Sequence, residues 1–327
     1  MKKHWRHSKA FVTLVFAAVL GAVSFPACAS DYPNRPITLI IPAVAGGILD
    51  SIGRFVSHGM SKMGQPVVVQ YVPGAGGSLG DAAVVRAAPD GYTVGMVASS
   101  HAINPALYSH LPFDTKRDFI NVSHAVDLTN ILVVHQSVPA NTLAEFIALA
   151  KKEPSALSCG SAGNGQSNHL SLEMFSAEAG VKLQHVPYKG SAAALNDLLA
   201  GVISCMFVDM LSSKQYIAAG SIKALAVTSS MRQPDLPNIP TFAELGMKDF
   251  SGSSWLGVVV RTGTPKEIVE KLNGVMRDVM KDPEVVQKLT SMGVVPVGSS
   301  LADSQAFMEE EIARYGQAVK AAGLKID

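Results

Sequence analysis

The chain has 327 residues, 27 basic and 26 acidic side chains, a formal net charge of +1 and an aromatic share of 6%. That length exceeds one average hydrophobic core and fits two α/β lobes. The charge balance and the lack of interleaved basic and aromatic residues argue against a nucleic-acid partner.

The N-terminus carries Lys2, Lys3, Arg6 and Lys9, then an apolar run at 11–23, then Ala27-Cys28-Ala29. This is the order of a secretory signal peptide, 1–29, with cleavage after Ala29 and a mature start near Ser30. The apolar run is too short for a permanent span, which needs roughly 20 residues. The alternative is a lipoprotein lipidated at Cys28, against which Phe25 and Pro26 speak. No later stretch approaches a spanning length, so the mature chain is expected to be soluble in the periplasm. Of its two cysteines, Cys159 and Cys205, a disulfide is one reading and two buried unpaired thiols the preferred one.

Strand and helix signals alternate along the rest of the chain. An apolar β-branched strand at 37–41 ends at Pro42, turns through Ala45-Gly46-Gly47 and enters an amphipathic helix at 50–63. Strands at 67–71, 93–98 and 131–134 follow, with helices at 78–87 and 102–107. The middle section repeats the plan: helix 143–151, strand 157–159, helix 169–179, strand 182–186, helix 192–200, strand 203–208, helix 213–219 and strand 224–228. A last strand at 255–260 precedes helices at 266–280, 284–292 and 301–322. The pattern predicts an α/β, two-lobed fold in which each lobe is a mostly parallel sheet flanked by helices, with the ligand cleft between lobes. The connections near 129 and 252 would divide the chain into lobe 1, residues 30–128 and 252–327, and lobe 2, residues 129–251.

Four strand-end loops have unusual composition: 42–47, 73–77, 99–104 and 160–168. A strand running through a glycine turn into a helix start offers backbone N–H groups without intrahelical partners and the positive end of a helix dipole, a cradle for a small carboxylate. Pro73-Gly74-Ala75-Gly76-Gly77-Ser78-Leu79-Gly80 fails as a dinucleotide fingerprint because Leu79 stands where the third glycine belongs, and no P-loop lysine follows any glycine loop. The loop from Gly160 to Ser167 is the second cradle, with neutral donors from Ser161, Asn164, Gln166 and Ser167; Ser167 and Asn168 taken singly read as helix caps, and His169 as a cap or core partner. Ser99-Ser100-His101 does not make a hydrolase, since adjacent Ser100 and His101 do not meet nucleophile–base geometry and no G-x-S-x-G elbow exists. No His, Cys or Asp pair has metal-ligand spacing. Asp209 reads equally as a partner for an ammonium group or as a cap.

The segments YPNRPITLIIPAVAGGILDSIGR, VVVQYVPGAGGSLGDAAVVRAAPDGYT, HAINPALYSHLPFDTKRDF, GSAGNGQSNHLSLEMF, HVPYKGSAAALNDLLAG and LPNIPTFAELG, with RTGTPKEIVEKLN, in this order resemble the Bug family. These are extracytoplasmic solute receptors of tripartite tricarboxylate transporters, and the resemblance runs from Tyr32 to about Lys325. It implies a two-lobed periplasmic-binding-protein fold that closes on one small organic acid, amino acid or related carboxylate, without cofactor; no nucleophile–base–acid set can be assembled from the residues, so an enzyme is not expected. It also implies ligand contacts from Val44, Ala45, Gly46 and Gly47, from Ser99, Ser100 and His101, from Ser161, Ala162, Asn164, Gly165, Gln166 and Ser167, and from Asp209. The implied partner is a membrane permease, with a sensor-kinase ectodomain as the alternative, and the receptor is expected to be a monomer. Ala43 and Val44 depart from the aromatic and proline usual before Ala-Gly-Gly, leaving a smaller pocket wall. Arg261 departs from an apolar turn residue and reads as a solvated surface charge.

Overall fold

The computed structural model describes residues 32–248, 250 and 252–325; the expected signal peptide and the choice between cleavage and lipidation at Cys28 lie outside them. The first lobe begins with three strand-to-helix units. Strand β1 (Ile37–Ile41) leads to helix α1 (Ile48–Ser61), β2 (Val67–Tyr71) leads through a tight turn at Ala75–Gly77 to α2 (Ser78–Arg86), and β3 (Thr93–Ala98) leads to α3 (Ser100–Leu107). The helical spacing of Leu49, Ile52, Val56 and Met60 lays one buried face of α1 on the sheet. β1 pairs in parallel with both β2 and β3.

Two strands then join the lobes. β4 (Phe119–Leu128) lies in the first sheet and β5 (Asn130–His135) in the second, with Thr129 alone between them. The second sheet continues with α4 (Leu143–Lys152), β6 (Ser158–Ser161), α5 (Ser167–Ala179), β7 (Gln184–Pro187), α6 (Ser191–Leu199), β8 (Cys205–Asp209), α7 (Met210–Ala218) and β9 (Ile222–Val227). β10 (Ser254–Arg261) returns the chain to the first sheet, followed by α8 (Lys266–Val279), α9 (Pro283–Ser291), β11 (Val294–Pro296) and α10 (Leu301–Ala321).

The strand orders are β11-β4-β10-β3-β1-β2 and β7-β6-β8-β5-β9. Here the expectation of mostly parallel sheets is corrected: both sheets are mixed. β10 is antiparallel to β3 and β4, β11 to β4, and β5 to β8 and β9. The cause is the double crossing, because β4, β5 and β10 run straight between lobes instead of returning through a helix. For the same reason the strand expected at 131–134 belongs to the second sheet. β4 and β11 were not anticipated. In β4 the polar Asn121, Ser123 and His124 are buried beside Val122, Ala125 and Val126, which erases the apolar alternation of a half-buried strand. His124 is accommodated by stacking on Phe307, with centroids 3.8 Å apart.

The crossings are tied together. Asn130 Nδ2 donates to Gly252 O at 2.8 Å and to Ser254 Oγ at 3.1 Å. Ser171 Oγ donates to the same Gly252 carbonyl. The second-lobe core packs Phe146, Phe175, Phe207 and Phe242 with Cys159 and Cys205. Those cysteines are register partners on β6 and β8, with Cα atoms 4.5 Å apart, and are joined as a disulfide, which corrects the preferred reading of two unpaired thiols. No helix among the described residues is long and apolar enough to cross a membrane.

Candidate ligand cleft

The carboxyl ends of β1, β2 and β3 face those of β6, β7 and β8 across a cleft of about 930 Å³. Its first wall is made by Pro42 to Val44 and Ile48, the turn from Pro73 to Gly77, and Ala98 to Ser100. Its second wall contains Ala162, Gln166 to Asn168, Lys189 to Ser191, Phe207 and Asp209, and the floor includes Asn130 and Ser254 from the two crossings. Each of the six parallel strands feeds a helix whose start borders this space. Five of those helices, α1, α2, α3, α5 and α6, have no side-chain hydrogen bond at the N-cap, and their N-cap residues are Gly47, Gly77, Ser99, Gln166 and Gly190. Five uncapped starts leave N–H donors and positive dipole ends around one cavity, an anion-favouring field built without a ring of cations. Among the described residues Lys189 is the one cation lining the cleft and Asp209 the one acid.

The turn before α2 is backbone-strained. Gly74, Ala75, Gly76 and Gly77 have φ of 128°, 46°, 61° and 92° in succession. Glycine adopts these values freely, whereas Ala75 does so at a cost of about 1–2 kcal/mol. Four consecutive left-handed residues fold the chain sharply enough to bring the whole Pro73–Gly77 segment to the cleft wall.

The expected site residues divide into those at the cavity and those behind it. Val44, Ser99, Ser100, Ala162, Gln166, Ser167 and Asp209 line the cleft. Val44 is 67% exposed. Ser99 is buried and accepts from the Trp255 N–H at 3.0 Å, and Ser167 Oγ accepts from Ser254 Oγ at 3.0 Å, a bond between lobes. Asp209 caps α7, with Oδ1 accepting from the Ser212 N–H and Oδ2 from Ser212 Oγ.

The others do not reach the lining. Ala45, Gly46 and Gly47 are exposed beside it, and the Gly46 N–H, expected to be open, donates to Asp50 Oδ2 at 2.8 Å. Asp50 also accepts from Tyr71, and the Gly46 amide followed by the Tyr71 hydroxyl holds its carboxyl below the usual range. His101 is an interior residue of α3, buried, with Nδ1 2.8 Å from Asp81 and its ring edge-on to Phe119. Ser161 is buried with Oγ 2.6 Å from His185 Nε2. Asn164 is exposed outside the cleft, and the Gly165 N–H donates to His169 Nδ1 at 3.0 Å, so His169 is a core partner. Asn168 Oδ1 accepts from the Ala162 N–H and so braces the loop rather than capping α5. His185 stacks on His169 at 3.6 Å; burial, then the neighbouring His169, push its pKa down to about 4. The first loop thus spends the Gly46 N–H on a side chain, and the second spends those of Ala162, Gly163 and Gly165. Among the described residues no three His, Cys, Asp or Glu side chains gather as a metal site.

A family model described as "Tripartite tricarboxylate transporter family receptor" matches residues 52–324. The chain belongs to this family of receptors. BugT of Bordetella pertussis is 33% identical over 315 residues, covering 95% of this chain and 96% of BugT. The solved structure of R. palustris Rpa4515 with adipate superposes with a TM-score of 0.81 at 34% identity, covering 90% of this chain and 100% of that one. The periplasmic binding protein BugD superposes with a TM-score of 0.77 at 32% identity over 90% of this chain and 100% of its own. The Bug-type resemblance read from the motifs and the two-lobed fold it implied are thus borne out.

Several lining residues of this Bug-type receptor escaped sequence reasoning. The Pro73–Gly77 turn is unusual in composition but stands outside the expected site; its glycine content is the signal that marks it. Lys189 and Ser191 flank Gly190 at a strand-to-helix junction, the same local pattern as the other cradles. Asn130 and Ser254 carry no local signal, since only the crossing of two distant segments brings them to the floor. Arg261, read as a solvated charge, is half-buried and donates to Ala87 O at 2.6 Å.

Proposed function

We propose that the chain is a periplasmic receptor, exported by removal of residues 1–29, that closes two lobes on a small carboxylate, an organic acid or amino acid, and delivers it to the permease of a tripartite tricarboxylate transporter. The observation that carries this reading is the convergence of five uncapped helix starts on one cleft. Such a field stabilises an anion through fixed dipoles. The adipate held by the related R. palustris protein supports the same chemistry. Lobe 1 comprises 30–128 and 252–327, lobe 2 comprises 129–251, and the hinge is the pair of tied crossings at Asn130 and Gly252. In this reading Val44, Ser99, Ser100, Ala162, Gln166, Ser167 and Asp209 meet the ligand. Ala45, Gly46, Gly47, His101, Ser161, Asn164 and Gly165 hold their loops in place. The receptor works as a monomer, without cofactor or catalysis.

A thermal-shift screen of dicarboxylates, tricarboxylates, acidic amino acids and monocarboxylates tests the reading. A ligand at a hundred times its Kd should add about 2.7 kcal/mol of stability. Small-angle scattering should then show the radius of gyration falling at saturation. A tight ligand that leaves the radius unchanged would remove closure, and turnover of that ligand would remove the receptor assignment.

A further inference from the structure

Helix α5 has apolar residues on two sides and not along a single stripe. Leu172 and Phe175, three residues apart, are buried in the second-lobe core with Phe146 and Phe207. Leu170 is equally buried, but its cluster is that of the first lobe, with Ile103, Leu107, Trp255, Met308 and Tyr315. Among the described residues it is the one second-lobe member of that cluster. Its neighbours at helical spacing turn the same way. Ser167 Oγ accepts from Ser254 Oγ, Ser171 Oγ donates to the Gly252 carbonyl at 3.1 Å, and Met174 Sδ lies 3.8 Å from Arg314 Nη1 on α10. Positions 167, 170, 171 and 174 make one face, the i, i+3, i+4, i+7 set of an α-helix. Just ahead of the helix, Gly165 packs so closely on the first lobe that a Cβ there would overlap Leu107 Cδ2. α5 thus begins at the cleft, where Gln166, Ser167 and Asn168 line the cavity, and continues as a ridge held between the lobes.

We infer that Leu170 sets the open–closed equilibrium of the receptor, seated in the first-lobe core when the lobes are closed and withdrawn into water when they part. This goes beyond the carboxylate reading and rests on the lobe closure within it. Leu170 is not part of the cleft lining, so it acts on the lobes and not through contact with bound solute. An apolar side chain that crosses between two bodies is out of water in one state only, and its burial favours that state. Leu172 and Phe175 stay buried in their own lobe whichever way the lobes stand. The hydroxyls of Ser167 and Ser171 exchange their partners for water at small net cost, so they fix the register of the closed state more than its population. A receptor that closes more readily binds its solute more tightly, because the solute has less of the closing equilibrium left to shift. Leu170 is therefore an affinity-determining residue outside the binding cleft.

Spin labels attached at Val68→Cys and Val202→Cys, exposed positions on the two lobes, report the interlobe distance distribution of the solute-free protein by double electron–electron resonance. Leu170→Ala should lower the ratio of closed to open receptor on the order of ten- to a hundredfold, the span of a buried leucine truncated to alanine. Leu170→Val should lower it several-fold in the same direction, and it carries the test if the alanine variant does not fold. Leu172→Ala is the control. It opens a comparable cavity inside the second lobe and should cost comparable stability in urea unfolding, while its distance distribution stays that of the parent. An unchanged distribution in the folded Leu170 variants overturns the inference. An equal shift in Leu172→Ala does so too, since the effect would then be a general loosening, and so does a parent protein that is fully open without solute. In each of these outcomes the carboxylate-receptor reading stands, because the thermal-shift screen tests it separately.

Discussion

Among the described residues, the six helices that begin at the cleft and the four that begin elsewhere treat their first turns differently. Of the cleft helices, α7 alone has a side-chain cap, from Asp209. Away from the cleft, α4 is capped by Thr142, α9 by Asp282 and α10 by Ser300, and α8 alone starts without one. An N-cap side chain is worth about 1 kcal/mol over alanine but only a few tenths over the glycine that stands at the α1, α2 and α6 starts, so its repeated omission at one place gives up a modest amount of stability there. The same omission leaves N–H groups for a bound anion. The scaffold is mostly capped away from the cleft and mostly uncapped around it.

That division can be broken experimentally, starting with the scaffold. The largest effect is expected from the paired Cys159→Ala and Cys205→Ala change. Opening a link across 46 residues of chain should cost about 3–4 kcal/mol in urea unfolding, with the affinity for the carboxylate found in the thermal-shift screen within a fewfold of wild type. A loss of affinity that tracks the loss of stability would mean that scaffold and cleft are not separable. Acid provides the next test. His185 has a native pKa of about 4 against the ordinary 6.5 because burial and His169 disfavour its charged form. The unfolded chain therefore takes up a proton that the native state refuses, and stability should be intact above pH 6.5, fall between 6.5 and 4, and level off below. The full drop is up to about 3 kcal/mol. Unfolding curves across that range should lose most of this slope in a His185→Phe variant.

Caps sharpen the comparison with opposite signs. Thr142→Ala and Ser300→Ala should each lower stability by roughly 0.5–2 kcal/mol without touching affinity. Gly47→Asp runs the other way. Gly47 sits at the α1 N-cap in extended conformation with φ −86°, and a Cβ there meets nothing within 4 Å. A carboxylate should cap α1 and raise stability by a few tenths of a kcal/mol. It should also fill the anion field and weaken binding of the carboxylate found in the thermal-shift screen, read by calorimetry. If Gly47→Asp binds that carboxylate as wild type does, the α1 start is not part of the anion site.

Much of the scaffold was written locally. The run 37–41, the turn after Pro42 and the amphipathic spacing of α1 each act within a few residues, so strand, turn and helix start were readable in order, as were the glycine loops that border the cleft. Other features depended on segments far apart in the chain. The antiparallel crossing of β4 and β10 pairs residues more than a hundred positions apart, and it made the sheets mixed and brought Asn130 and Ser254 to the cleft floor. Which backbone donors remain open was likewise decided by packing: Asp50 folds back onto the Gly46 amide, His169 onto Gly165 and Asn168 onto Ala162. Composition alone cannot distinguish a glycine loop that offers its amides to a ligand from one whose amides are claimed by the next helix, because both need the same small residues. The sequence by itself determined the strand–glycine–helix units and the family. The tertiary structure decided which of their ends face one another, because local signals set backbone shape while charge and hydrogen-bond partners are assigned across the cleft.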